Sequence, residues 1–311
     1  MKNTSKFWIL YSFTLLFSYC LSAQLAPTPP KVLIVIAHPD DETTFAATVY
    51  KITHELKGTV DLLLVTNGEG GYKYSTLAEP IYGMELTDEK VGRKNLPSIR
   101  KKELMNAGKI IGIRKYFFLD QKDAHYGLDE REPLDTSWNV ELVKKKMKQV
   151  MTKTKYDYIF CLIPDPATHG GHKAATMLAL RSVKELPAEQ RPIVLGATVT
   201  ELSVMNKNVA DTTKKVFTQL KDYAETKIKK DAPVFQVDRK AKFGFKNSLS
   251  YKVIVNWEIA EHKSQGTMQL AMNMGDLENF IYFDINADAG IEKTKALFEE
   301  LKKVPYKTKT Y

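Results

Sequence analysis

From Lys31 onward, short apolar runs alternate with stretches whose apolar residues recur at helical spacing, and this alternation limits the chain to parallel strands joined by crossover helices. Val32 to Ala37 reads as the first strand. A helix follows over Thr43 to Glu55, with Phe45, Val49 and Ile52 in phase. Strands continue at Val60 to Thr66, Tyr116 to Leu119, Tyr158 to Ile163 and Ile193 to Thr198. Helices fall at Ser98 to Ile111, Val140 to Met151 and His172 to Val183. The segment Gly68 to Leu96, with Tyr72, Tyr74 and Tyr82, reads as one long loop, and long ordered loops in compact domains are usually functional.

Beyond residue 200 the rhythm changes. Lys214 to Lys230 reads as a basic helix, Val234 to Trp257 as paired strands, and Ile259 to Met272 as a helix carrying His262. Phe280 to Ile285 then forms a strand and Ile291 to Lys302 a closing amphipathic helix. The expected architecture is an α/β fold: a Rossmann-like, doubly wound, mostly parallel sheet over residues 24–200. A C-terminal mixed α+β extension, residues 201–311, packs on it as part of one unit.

Residues 1–23 have the form of an export signal: Lys2 and Lys6, an apolar run from Phe7 to Tyr19, and a small-residue cleavage site at Leu21-Ser22-Ala23. The run is shorter than the ~20 residues of a membrane span. Bulky Tyr19 before Cys20 argues against a lipid anchor there. The expectation is an exported protein, periplasmic or extracellular, with no stable membrane span after cleavage. Cleavage leaves Cys161 as the one cysteine, inside an apolar run, so no disulfide holds the mature chain. Losing Lys2 and Lys6 takes the formal charge from +9 to +7, with lysines scattered among acids. Such scatter lacks the basic patch of a nucleic-acid binder.

Chemistry concentrates in two places. Ala37-His38-Pro39-Asp40-Asp41-Glu42 lies where the first strand gives way to the first helix. A strand-to-helix corner with a capping carboxylate explains one aspartate, but not both together with His38 and Glu42. The second place follows the fourth strand, at Pro164-Asp165-Pro166-Ala167-Thr168-His169-Gly170-Gly171-His172, where a Gly-Gly turn lets two imidazoles face one crevice. If the first and fourth strands are neighbours, both motifs meet at the topological switch point, where such sheets bind ligands. Three nitrogen and oxygen ligands with a position left for water describe a catalytic zinc site, with Fe2+ an acceptable alternative. Asp40 suits a general base for that water, and His169 suits support of an oxyanion or protonation of a departing amine.

These residues resemble the LmbE-like, or PIG-L, family of zinc-dependent N-acetylglucosaminyl deacetylases, whose hallmark is the Ala-His-Pro-Asp-Asp-Glu box at 37–42. The resemblance implies that His38, Asp41 and His172 bind zinc, that Asp40 is the general base, and that His169 supports the intermediate. It extends to Thr66-Asn67-Gly68-Glu69-Gly70, to Arg100 and Glu103, to Asp123, and to His262-Lys263-Ser264-Gln265. Arg100 is a candidate clamp on a sugar hydroxyl or phosphate, or else an exposed helix residue paired with Glu103. Asp123 and His262 are further candidate substrate contacts. In one respect the chain departs from the family, having Gly170-Gly171 where Pro-Asp often stands. The implied substrate is a small molecule or glycan carrying an N-acetyl group. An amidase on a larger glycoside amide and a noncatalytic carbohydrate-binding protein are the other readings.

Overall fold

The computed structural model describes residues 28–202 and 220–306. The expected export signal, and residues 214–219 of the expected basic helix, lie outside them. In chain order the described elements begin with β1 (Lys31–Ile36) and a helical segment made of a 3-10 turn (Asp41–Phe45), α1 (Ala46–Tyr50) and a wide turn (Lys51–Glu55). Next come β2 (Thr59–Thr66), α2 (Glu79–Tyr82), α3 (Glu89–Ile111), β3 (Ile113–Gln121), α4 (Val140–Thr154) and β4 (Tyr158–Leu162). Then follow α5 (Gly170–Lys184), β5 (Ile193–Thr200), β6 (Phe235–Asp238), β7 (Lys242–Phe243), β8 (Leu249–Ser250) and α6 (Lys252–Glu261). The last are α7 (Gly266–Gln269), β9 (Leu277–Tyr282) and α8 (Gly290–Lys302).

The main sheet runs β3-β2-β1-β4-β5-β9-β6. Its first five strands pair in parallel, and β9 then joins β5 antiparallel and takes β6 on its far side. Along β1 the side chains alternate between two cores. Val32, Ile34 and Ile36 pack with Phe45, Leu104, Ile254 and Phe298 on one face, and Leu33, Val35 and Ala37 with Met147, Ala175 and Leu178 on the other. Burial on both faces is what makes such strands continuously apolar. Because β2 and β3 build outward from one side of β1 and β4 and β5 from the other, the chain reverses direction between β1 and β4. That reversal is the topological switch point.

Three expected elements take a different form. The Gly68 to Leu96 loop is largely helical: turns at Glu69–Tyr74 and Thr76–Ala78 precede α2, and α3 starts at Glu89, capped by Asp88 accepting from Val91 N at 2.9 Å. Pro97 lies inside α3 and disguises this early start, since proline reads as a helix boundary. Within Val234 to Trp257 only β6, β7 and β8 are strands, with turns and a 3-10 segment at Phe245–Asn247 between them, and α6 runs from Lys252 to Glu261, so the helix expected over Ile259 to Met272 is replaced by the end of α6, a turn and α7. Residues 220–230 hold turns and a 3-10 segment at Ala224–Thr226 rather than a basic helix. Among the described residues no helix is long and apolar enough to cross a membrane.

Candidate metal centre

The box at 37–42 leaves β1 at its C-terminal edge and doubles back tightly. Asp41 accepts hydrogen bonds through Oδ2 from its own strand end, Ala37 N at 3.1 Å and His38 N at 2.8 Å, which aims Oδ1 outward. Across the switch point α5 brings in His172, whose Nε2 stands 3.0 Å from Asp41 Oδ1 and 3.0 Å from His38 Nδ1. His38 Nδ1 and Asp41 Oδ2 are 3.7 Å apart. Tetrahedral bonds of ~2.0–2.2 Å place neighbouring donor atoms roughly 3.3 Å from one another, and the two 3.0 Å separations made by His172 lie near that figure. Thr168 Oγ1 holds the far nitrogen of His172, Nδ1, at 3.1 Å, the kind of outer contact that fixes a ligating imidazole.

The electrostatics agree with a cation at this point. Burial works against charge on His38, yet Asp123 and Asp41 outweigh it and push its pKa up to about 10. Burial opposes ionisation of Asp41 as well, but His172 and His38 hold that carboxyl well below the usual range. Carboxylates so placed favour positive charge between them, whether a proton or a metal ion.

Asp40 and Arg100 form a second layer. Arg100 is buried on α3, with Nη2 3.1 Å from Asp40 Oδ2 and Nη1 donating to Gly68 O at 2.8 Å. The exposed pairing with Glu103 does not occur, because Glu103 is itself buried against Ser264 and Tyr82. Gly68 has φ +72, and a Cβ there would lie 2.8 Å from Pro39 Cγ and 3.0 Å from Arg100 Nη1, so the contact requires glycine. Asp123 lines the cleft, accepts from Gly70 N at 3.1 Å and stands 3.7 Å from His38 Nε2, where it helps to orient His38.

His169 caps α5, accepting at Nδ1 from Gly171 N at 2.9 Å. Burial, then the nearby His38 and His172, lower its pKa to about 3. An imidazole that accepts at Nδ1 carries its proton on Nε2. The Gly-Gly departure has a steric basis: a Cβ on Gly170 would lie 2.3 Å from Asp129 O, and a proline there would also lose the bond from Gly170 N to Gly127 O at 2.8 Å.

One expectation is overturned. His262 does not reach the cleft; it is fully buried, with Nε2 2.6 Å from Glu42 Oε1. With Glu258 this makes a second group of potential metal donors, but two ligands of one ion stand farther apart than 2.6 Å, so the contact is a direct hydrogen bond. Its neighbours Ser264 and Gln265 do more at the site: Ser264 bonds Glu103, and Gln265 lines the cleft. The cleft, about 680 Å³, is also lined by Thr44, Tyr74, Tyr126, Thr198 and Met268. Of these, the sequence singled out Tyr74, in the Gly68 to Leu96 segment. The others come from strand ends and turns whose convergence no local motif announces.

Fold and site together define a class: a doubly wound α/β protein with an open His-Asp-His donor set over its switch point. Residues 33–183 match the sequence model of the PIG-L family, described as GlcNAc-PI de-N-acetylase. It is 26% identical over 170 residues to a probable N-acetyl-alpha-D-glucosaminyl L-malate deacetylase 2 of Bacillus cereus, covering 55% of this chain and 68% of the relative. The protein of the same name from Bacillus subtilis is 24% identical over 169 residues, covering 54% and 67% respectively. Among solved structures, N,N'-diacetylchitobiose deacetylase from Pyrococcus horikoshii aligns over 90% of this chain and 94% of its own, at 16% identity and a TM-score of 0.41.

Proposed function

We propose that this protein hydrolyses the acetamide of an N-acetylated amino sugar or glycoconjugate, using a divalent metal, zinc in the first instance, held by His38, Asp41 and His172. The match of residues 33–183 to the PIG-L family model and the relatives named as deacetylases support the reaction class. The observation that carries the mechanism is a carboxylate in the cleft lining, Asp40, beside a complete donor set it does not join. A zinc ion bound there supplies Lewis acidity and acidifies water. Asp40 Oδ2 is engaged by Arg100, which leaves Oδ1 to take the proton of the attacking water and to pass it to the departing amine. His169 offers its Nε2–H to the developing oxyanion, the tautomer being set by Gly171 N. Its depressed pKa suits a neutral donor better than an acid.

Acetate release from a panel of N-acetylhexosaminides tests this reading. Asp40→Asn should keep its metal and lose activity by about 10²–10⁴-fold. Wild-type protein with full metal that releases no acetate from any of these amides would sink it.

A further inference from the structure

We propose that the substrate is an uncharged glycoside and that the cleft discriminates against aglycones bearing carboxylate or phosphate; this rests on the hydrolysis reading above. Four carboxylates line the cleft, Asp40, Asp41, Asp123 and Asp165. Among the described lining residues Arg100 is the one lysine or arginine. It is already committed, 2% exposed, with Asp40 at 3.1 Å and Gly68 O at 2.8 Å. With a divalent ion in the donor set and neutral histidines, negative charge still exceeds positive by one. A cleft with low-dielectric apolar walls focuses that excess.

Away from the metal donors the walls carry neutral hydrogen-bonding groups, Thr44, Thr198, Thr267, Tyr74 and Gln265, interleaved with apolar Met268. Hydroxyl and amide groups match sugar hydroxyls, and none of them neutralises an anion. The cleft volume of about 680 Å³ falls within the range of ~300–1,000 Å³ typical of ligand sites, with space beyond a single pyranose ring. A glycoside therefore fits, provided its second group is neutral. The Bacillus relatives are named for a malate glycoside, a dianion, so the inference separates this chain from them.

The test uses the wild-type zinc holoenzyme and three N-acetylglucosaminides that differ only in aglycone: a neutral alkyl group, malate, and a phosphate monoester. The neutral substrate should have the highest kcat/KM by about tenfold or more, with the gap narrowing as salt is added. Asp165→Asn, which preserves the turn made by Asp165 Oδ1 with Ala167 N, should narrow the gap about threefold or more. An equal or higher kcat/KM for the malate or phosphate glycoside overturns the inference and leaves hydrolysis standing. Should no acetate be released from any of the three, the hydrolysis reading fails separately. Calorimetric binding of the matching N-methylsulfonyl glucosaminides then decides the charge question: tighter neutral binding supports it, and tighter anionic binding overturns it.

Discussion

Gly170 and Glu258 show how far single positions constrain this site. A Cβ at Gly170 meets the carbonyl of Asp129 at 2.3 Å, and a backbone oxygen cannot swing aside as a side-chain tip can. Gly170→Ala should therefore lower stability by ~1–3 kcal/mol. Because Gly170 sits between His169 and His172, bound zinc should fall as well, and thermal melts beside metal analysis read both effects. Glu258 behaves oppositely to most carboxylates. Burial, and then Glu42 beside it, raise its pKa well above the usual 4.5. A carboxyl that binds its proton more tightly folded than unfolded stabilises fully below its unfolded pKa, and that contribution is lost as pH rises through the folded value. Urea unfolding from about pH 5 to about pH 9 should show wild type losing stability relative to Glu258→Gln. Parallel curves for the two proteins would rule this out.

At the scale of elements, α3 is the hinge between the sequence motifs and the extension. Glu103 accepts from Ser264 N at 2.9 Å, Ser264 Oγ at 2.6 Å and Tyr82 Oη at 2.7 Å, one turn from Arg100 on the same helix. Glu103→Ala strands these buried donors and should cost roughly 2–4 kcal/mol, measured by chemical denaturation, with activity reduced because Arg100 no longer holds Asp40 firmly. The inner strands of the parallel sheet were legible because they are buried on both faces and so read as apolar runs, as Val32 to Ala37 and Leu62 to Val65 do. The donors His38 and Asp41 were legible for another reason: the box compresses its chemistry into a few adjacent positions. The start of α3 was not, since Pro97 imitates a boundary. Nor was the burial of His262, whose partner Glu42 lies 220 positions away. Periodicity reports on neighbours, and a contact across that distance leaves no local trace.

At the scale of the whole molecule, the proposed ion links residues from two crossover units, His38 and Asp41 after β1 and His172 after β4. A ligand that binds only the folded chain stabilises it by mass action. Chelation should thus lower the melting temperature by several degrees, about 3–8 °C, and added zinc should restore it. In His172→Ala the chelator should change little.

Glu278 on β9 gives the molecule an order of events in its own synthesis. Its carboxylate accepts from Ala47 N at 2.9 Å and Thr48 N at 2.8 Å, and from Arg239 Nε at 2.9 Å. The helical segment that opens with the box is thereby anchored by a residue more than 200 positions downstream. A nascent chain that has reached only β5 already contains every proposed metal donor, yet α1 still lacks its anchor and β5 still lacks its outer neighbour. The helical segment after the box therefore reaches its final packing only once β9 has been made, after nearly the whole chain.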